Sequence, residues 1–177
     1  MIPAFVLHNS SCSEREEIVK DIVDKTKATV FQSYLLPDGK KGCRYSHIGA
    51  CKLAKGMYPE KHFLIFEDDC VLSDDWADVI KGYEFADVLY LGYNDKCSHT
   101  VFGTHALYIS PKARDIILEH TEQFKDDVPN KGAYDMILSL LCRRFGLITC
   151  IPREEIREKY ASQKKGLISQ ITGKIRT

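Results

Sequence analysis

The sequence has no net charge. Its 25 lysines and arginines balance 25 aspartates and glutamates over 177 residues, so no global field draws it to nucleic acid or to an acidic membrane, and any electrostatic specificity is local. Long apolar runs are missing too, and nothing approaches the roughly 20 residues that a membrane-spanning helix needs. Met1 to Leu7 carries no basic stretch and meets His8 before any small-residue cleavage pattern. No secretory signal is therefore expected, and the expected location is the cytoplasm. The seven cysteines are irregularly spaced and form no C-x-x-C pair. That pattern argues against a disulfide framework and against a zinc site, and is read as mostly buried thiols in a reducing compartment. Proline is scarce, and no repeat or low-complexity stretch divides the chain.

What is present is a globular composition, 44% hydrophobic, in a chain long enough for about one domain at roughly 150 residues each. Pro3 to Leu7 suits a buried strand, and Ser13 with Glu16 has capping-box spacing ahead of Ile18, Ile22 and Val23 at helical intervals. Ala28 to Leu36 is β-rich and ends at the turn signal Pro37-Asp38-Gly39, after which Ser46 to Lys55 reads as a second helix. His62 to Phe66, Val88 to Leu91 and Ala106 to Ile109 are short apolar runs of strand length. Ser110-Pro111 reads as an N-cap with proline in the first turn, and Ala133 to Phe145 as a last helix stopped by Gly146. Strands alternating with helices predict a single-domain α/β layered fold over 1–152, its sheet mainly parallel, with helices on both faces. Residues 153–177 turn polar, and from Lys159 onward five basic residues stand without an acid. They are read as a basic tail, either a surface helix or a lid.

From Glu67 to Asp78 there are six carboxylates and no basic residue. The first three, Glu67-Asp68-Asp69, follow a predicted central strand, where hard oxygen ligands on alternate residues suit a divalent cation such as Mg²⁺ or Mn²⁺. A solvated acidic loop is the plain alternative, with Ser73 capping a helix from Asp74 and Trp76 packing into the core. Alternation beyond the strand points to Asp69 as a direct metal ligand, with Glu67 or Asp68 acting through water or on a ribose. Ser46 and His47 are explained locally as an N-cap and a packed first-turn residue, yet a helix N-terminus also suits phosphate oxygens. His105 inside an apolar strand reads as a core histidine. Two enzyme classes lose support. A sugar-nucleotide-forming nucleotidyltransferase should carry a Gly-rich basic loop where His8-Asn9-Ser10-Ser11 stands, and a haloacid-type phosphatase needs D-x-D-x-T where Glu67-Asp68-Asp69-Cys70-Val71 stands.

Several blocks, in order, carry a family resemblance: Phe5-Val6-Leu7 with Arg15, Gly42-Cys43-Arg44-Tyr45-Ser46-His47-Ile48, Phe63 to Asp69, Leu91-Gly92, Gly103 to Ser110, and Tyr134-Asp135. Together they resemble glycosyltransferase family 25, the lipopolysaccharide and collagen galactosyltransferase group, in a compact viral or bacterial form. The resemblance implies a GT-A-like, Rossmann-like fold, a nucleotide-sugar donor, usually UDP-linked, and Mn²⁺ or Mg²⁺. It also implies transfer of a sugar such as galactose or glucose, with inversion, to a hydroxyl of a glycan or glycoprotein. Under that reading Asp69 and Glu67 hold the metal, and Glu67, Asp68, Ser46 and His47 line the donor site. Lys164 and Lys165, with Lys159, close over the diphosphate. Asp135, where the family has Pro-x-Asp, is the expected general base and Asp95 the runner-up, with His99 and His105 as reserve metal ligands. No nucleic-acid partner and no membrane span are expected. The contrasting reading is a catalytically inactive module that keeps the fold to bind carbohydrate or a partner.

Overall fold

The computed structural model describes residues 1–94, 102–128, 132–152 and 161–163. β1 (Ala4–His8) leads through a 3₁₀ turn at Ser13–Arg15 into α1 (Glu16–Thr26), followed by β2 (Thr29–Gln32), α2 (Gly39–Met57), β3 (Phe63–Glu67) and the short β4 (Cys70–Leu72). A 3₁₀ stretch at Trp76–Gly82 precedes β5 (Val88–Asn94), β6 (Phe102–Ile109), α3 (Pro111–His120), α4 (Tyr134–Arg144), β7 (Thr149–Cys150) and β8 (Ala161–Gln163). Six strands form the main sheet in the order β2-β1-β3-β6-β5-β7. β1 runs parallel to β2 and β3, and β5 parallel to β7, while β6 lies antiparallel between β3 and β5. The sheet is the mainly parallel one expected, with β6 reversed.

Alternation along the strands divides the core in two. Phe5, Phe63, Ile65, Tyr90, Leu107 and Ile109 face α2, α3 and α4, which supply Ala50, Ala54, Ile117, Ile137 and Leu141. Val6, Leu64, Phe66, Leu89 and Tyr108 face the other way, against Val19 and Ile22 of α1 and Val79 and Ile80 of the 3₁₀ stretch. Helices therefore cover both faces. Among the described residues no helix is long and apolar enough to cross a membrane.

Three local expectations are corrected. The second helix begins at Gly39, capped by Asp38 accepting from the Lys40 and Lys41 amides, so Ser46 is no N-cap and His47 no first-turn residue; both sit mid-helix. The strand expected over 28–36 is confined to Thr29–Gln32, because Tyr34 onward folds over α2. No α-helix starts at Asp74; a 3₁₀ stretch starts at Trp76 without a side-chain cap, and Trp76 packs edge-on to Phe66 at 5.8 Å. Ser110 does cap α3, with Pro111 in its first turn.

The chain moves from β1 through α1 on one face to β2, then through α2 on the other face to β3, on the opposite side of β1. The sheet thus has its topological switch point between β1 and β3, where open α/β sheets bind ligands beyond the carboxyl ends of their strands. β4 pairs antiparallel with β8, placing Gln163 opposite Cys70, the residue after Asp69.

Candidate functional site

A cleft of about 550 Å³, counting the solvent at its mouth, opens at that switch point. Leu7 ends its β1 side and Glu67, Asp68 and Asp69 its β3 side, while Ser33 to Leu36 and the α2 residues Gly39, Cys43 and Ser46 form the opposite wall. The Gly-Cys-x-x-Ser-His block is what holds that wall. The Ser46 hydroxyl donates to the Gly42 carbonyl at 2.8 Å and accepts from the Tyr34 amide at 2.9 Å. A side chain at position 42 would collide with the Tyr34 carbonyl, so glycine is needed for the loop to lie against the helix. Cys43 and His47, one turn apart, then share the face turned toward Glu67.

The three acids of the run have different surroundings. Asp68 is buried with both oxygens committed, one to Arg15 and the other to His8 Nδ1 at 3.0 Å. Arg15 Nη1 also lies 3.8 Å from Asp69, which is 1% exposed. Burial alone would lower the Arg15 guanidinium, but Asp68 and Asp69 more than offset it and hold Arg15 charged above its ordinary value. Arg15 thus offsets part of the negative charge that Asp68 and Asp69 bring together. Glu67, with a side chain 22% exposed, accepts from His47 Nε2 at 3.1 Å and from the Thr104 hydroxyl at 2.7 Å. Burial would raise its pKa, yet those hydrogen bonds outweigh burial and keep it an anion, below the usual carboxylate range.

Asp135 stands in the first turn of α4 and does not line the cleft. Burial pushes its carboxyl above the ordinary value and the nearby Glu67 charge adds to this, while the Met136 amide, donating at 2.8 Å, pulls the other way. Tyr134, beside it, stacks on His47 with ring centroids 4.2 Å apart. The structure thus brings Cys43, Ser46, His47, Glu67, Thr104 and Asp135 to one end of the sheet. It places Asp68 in an ion pair and His105 against Gly92. Asp95, His99, Lys159, Lys164 and Lys165 lie outside the described residues.

As a cation site the acidic run is a partial fit. Asp68 has both oxygens committed, Asp69 already faces a guanidinium, and of the three cleft-lining acids only Glu67 has a partly exposed side chain. The sequence singles out Arg15 only as part of a family block, and its pairing with Asp68, like that of His8, leaves no local signal because the partner lies 53 and 60 positions away. Cys43, named only within a family block, has no role in the sequence reading, although Cys43-x-x-x-His47 has the spacing that aligns two ligands on a helix; starting the helix at Ser46 hid that alignment.

No protein-family model matches the chain, and no curated protein matches it. Solved structures do. A glycosyltransferase involved in the glycosylation of the major capsid of PBCV-1 is similar with TM-score 0.60 and 10% identity, over 92% of this chain and 93% of that one. The apo form of the glycosyltransferase GlyE of Streptococcus pneumoniae TIGR4 gives 0.56 at 11% identity over 88% of this chain, which spans 46% of GlyE. A197 from STIV gives 0.55 at 12% identity, over 100% of this chain and 95% of A197. At these identities the likeness shows the fold, the single-domain GT-A-like α/β architecture expected from the sequence.

Proposed function

We propose that the protein is a glycosyltransferase, related to family 25, that moves a hexose, galactose or glucose, from a UDP-sugar to a hydroxyl of a glycan or glycoprotein with inversion. The observation that carries this reading is the position of Asp135. A half-buried carboxyl with a raised pKa stands next to Glu67 but outside the cleft, where a base must stand if the cleft holds the diphosphate and the acceptor comes from the other side. Asp135 takes the proton of the acceptor hydroxyl as that oxygen bonds the anomeric carbon and the bond to the diphosphate breaks. Tyr34, Leu35 and Leu36 offer an apolar wall for the nucleobase, and Ser46 fixes that wall through the Tyr34 amide. A divalent cation, Mn²⁺ or Mg²⁺ in the family's pattern, would neutralise charge on the leaving diphosphate. Glu67 is the carboxylate best placed to hold it, and Asp69 is the further oxygen ligand only if Arg15 yields its place.

Incubating the purified protein with UDP-galactose or UDP-glucose and divalent metal should release UDP. Asp135→Asn should slow that turnover by about 10² to 10⁴ fold, the usual worth of a general base, with UDP affinity unchanged. Loss of UDP affinity at normal turnover would make Asp135 a binding residue instead. One observation favours a second reading, an inactive binding module: Arg15, against Asp68 and near Asp69, already engages two of the three acids without a metal. UDP-sugar binding with no turnover under any metal would favour that module.

A further inference from the structure

Cys43 and His47 on α2 and Glu67 at the end of β3 bring a thiol sulfur, an imidazole nitrogen and a carboxylate oxygen within 4.8 Å of one another. The nitrogen and oxygen are already 3.1 Å apart. The surroundings orient both. The Thr104 hydroxyl donates to the same Glu67 oxygen, and Tyr134 lies on the fully buried His47 ring, tilted by 20°. His47 Nε2 points at Glu67 and donates to it, while Nδ1 is buried with no hydrogen-bond partner among the described residues, so a cation taken up at Nε2 moves the ring proton to Nδ1. Cys43 and Glu67 both line the cleft. Three protein ligands on two rigid elements, with the remaining direction open to a cleft, is the arrangement of catalytic zinc sites. Thiolate with imidazole selects Zn²⁺ or Co²⁺, whereas Mn²⁺ and Mg²⁺ favour oxygen ligands.

We propose that Cys43, His47 and Glu67 form a site for a zinc-class divalent cation whose open position faces the cleft and takes a phosphate oxygen. The phosphate part rests on the glycosyltransferase reading; the metal site does not. The nitrogen and oxygen already stand at about the spacing of two ligands on one ion, so ligand distances of roughly 2.0–2.3 Å require chiefly that the Cys43 sulfur draw closer to them. Binding exchanges the thiol proton for the metal, so one proton is released per ion at a pH where Cys43 is protonated.

Titration of the chelator-treated full chain with Co²⁺ tests the site without any assay of turnover. One equivalent should give tetrahedral d–d bands and a thiolate-to-cobalt charge-transfer band, both abolished by Zn²⁺. Cys43→Ser should remove the charge-transfer band while circular dichroism shows the fold retained. Thr104→Val should weaken Co²⁺ by roughly 10–100 fold, the usual effect of removing a group that orients a ligand, and Asp69→Asn should leave the spectrum as it is. Adding UDP should shift the d–d bands. An unshifted spectrum overturns the phosphate role alone, and a cobalt site with no UDP release counts against the glycosyltransferase reading and not against the metal. The site itself is overturned if Co²⁺ shows no thiolate band, or if binding survives Cys43→Ser and is lost in Asp69→Asn.

Discussion

His105 and Gly92 show how one residue is dictated by another on the neighbouring strand. Gly92 of β5 is paired with Ala106 of β6, with register shifts on either side of it. The His105 imidazole, 4% exposed, lies where a side chain at 92 would be. A glycine inside a strand commonly marks such a close approach. Gly92→Ala should destabilise the fold by about 1–3 kcal/mol, the range for overpacking, and adding His105→Ala should recover part of the loss. Additive losses in urea titrations of the two single variants and the double would show that the overlap is not the cause. At this scale the sequence was legible where a residue answers to its near neighbours: Ser110 and Pro111 start α3 as their order implies. It was opaque where the partner is remote. Asp68 looks like one more acid in a run, and only the fold reveals that Arg15 and His8 have taken both of its oxygens.

Elements fail to announce themselves when packing overrides local preference. Gly39 and Gly42 read as a loop, since glycine is a poor helix former by about 1 kcal/mol, yet α2 runs through both. The Asp38 cap and the backbone packed on Gly42 compensate. The reversed direction of β6 is invisible for another reason: a strand buried on both faces reads the same in either direction. Asp87, just before β5, joins elements that the sequence keeps apart. Its carboxylate accepts from the Ser110 hydroxyl at 2.9 Å, the Ile148 amide at 2.9 Å and Lys112 at 3.2 Å, tying the start of α3 to the chain entering β7. Burial would raise its pKa, but these donors win and the folded value falls below the ordinary 3.8. A depressed carboxyl stabilises above its unfolded pKa and loses that contribution as pH falls through the folded value. Asp87→Asn should therefore lower stability at pH 7 by about 1.5–3 kcal/mol, the range for hydrogen bonds to a charged group. The gap from the unsubstituted chain should close as pH drops below about 4. A gap that stays constant from pH 7 to pH 3 in urea melts would mean that the charge on Asp87 does not contribute.

At the scale of the whole molecule, a late segment of the chain pairs beside the acidic run. Alternating strands and helices were enough to predict a layered α/β domain, but not that residues 161–163 return to the main body as β8 beside β4. Composition gave no hint of this, because the segment is polar and reads as a tail. The pairing has a functional consequence under the proposed reaction. β8 ends at Gln163 opposite Cys70, and the next residues in sequence are Lys164 and Lys165, while Cys70 itself follows Asp69 at the rim of the cleft. Two phosphates entering a cleft with three carboxylates need positive charge beyond Arg15, and we propose that these lysines supply it as the segment closes over a bound diphosphate. Deleting 164–177 keeps β8 and removes the lysines. If each phosphate contact is worth about 1.5–3 kcal/mol, the UDP dissociation constant should rise by about tenfold or more at low salt. The loss should shrink as salt is raised, since exposed charges are screened. Calorimetric titration of UDP into the full and shortened chains reads this directly, and equal constants at low salt would remove the segment from the donor site.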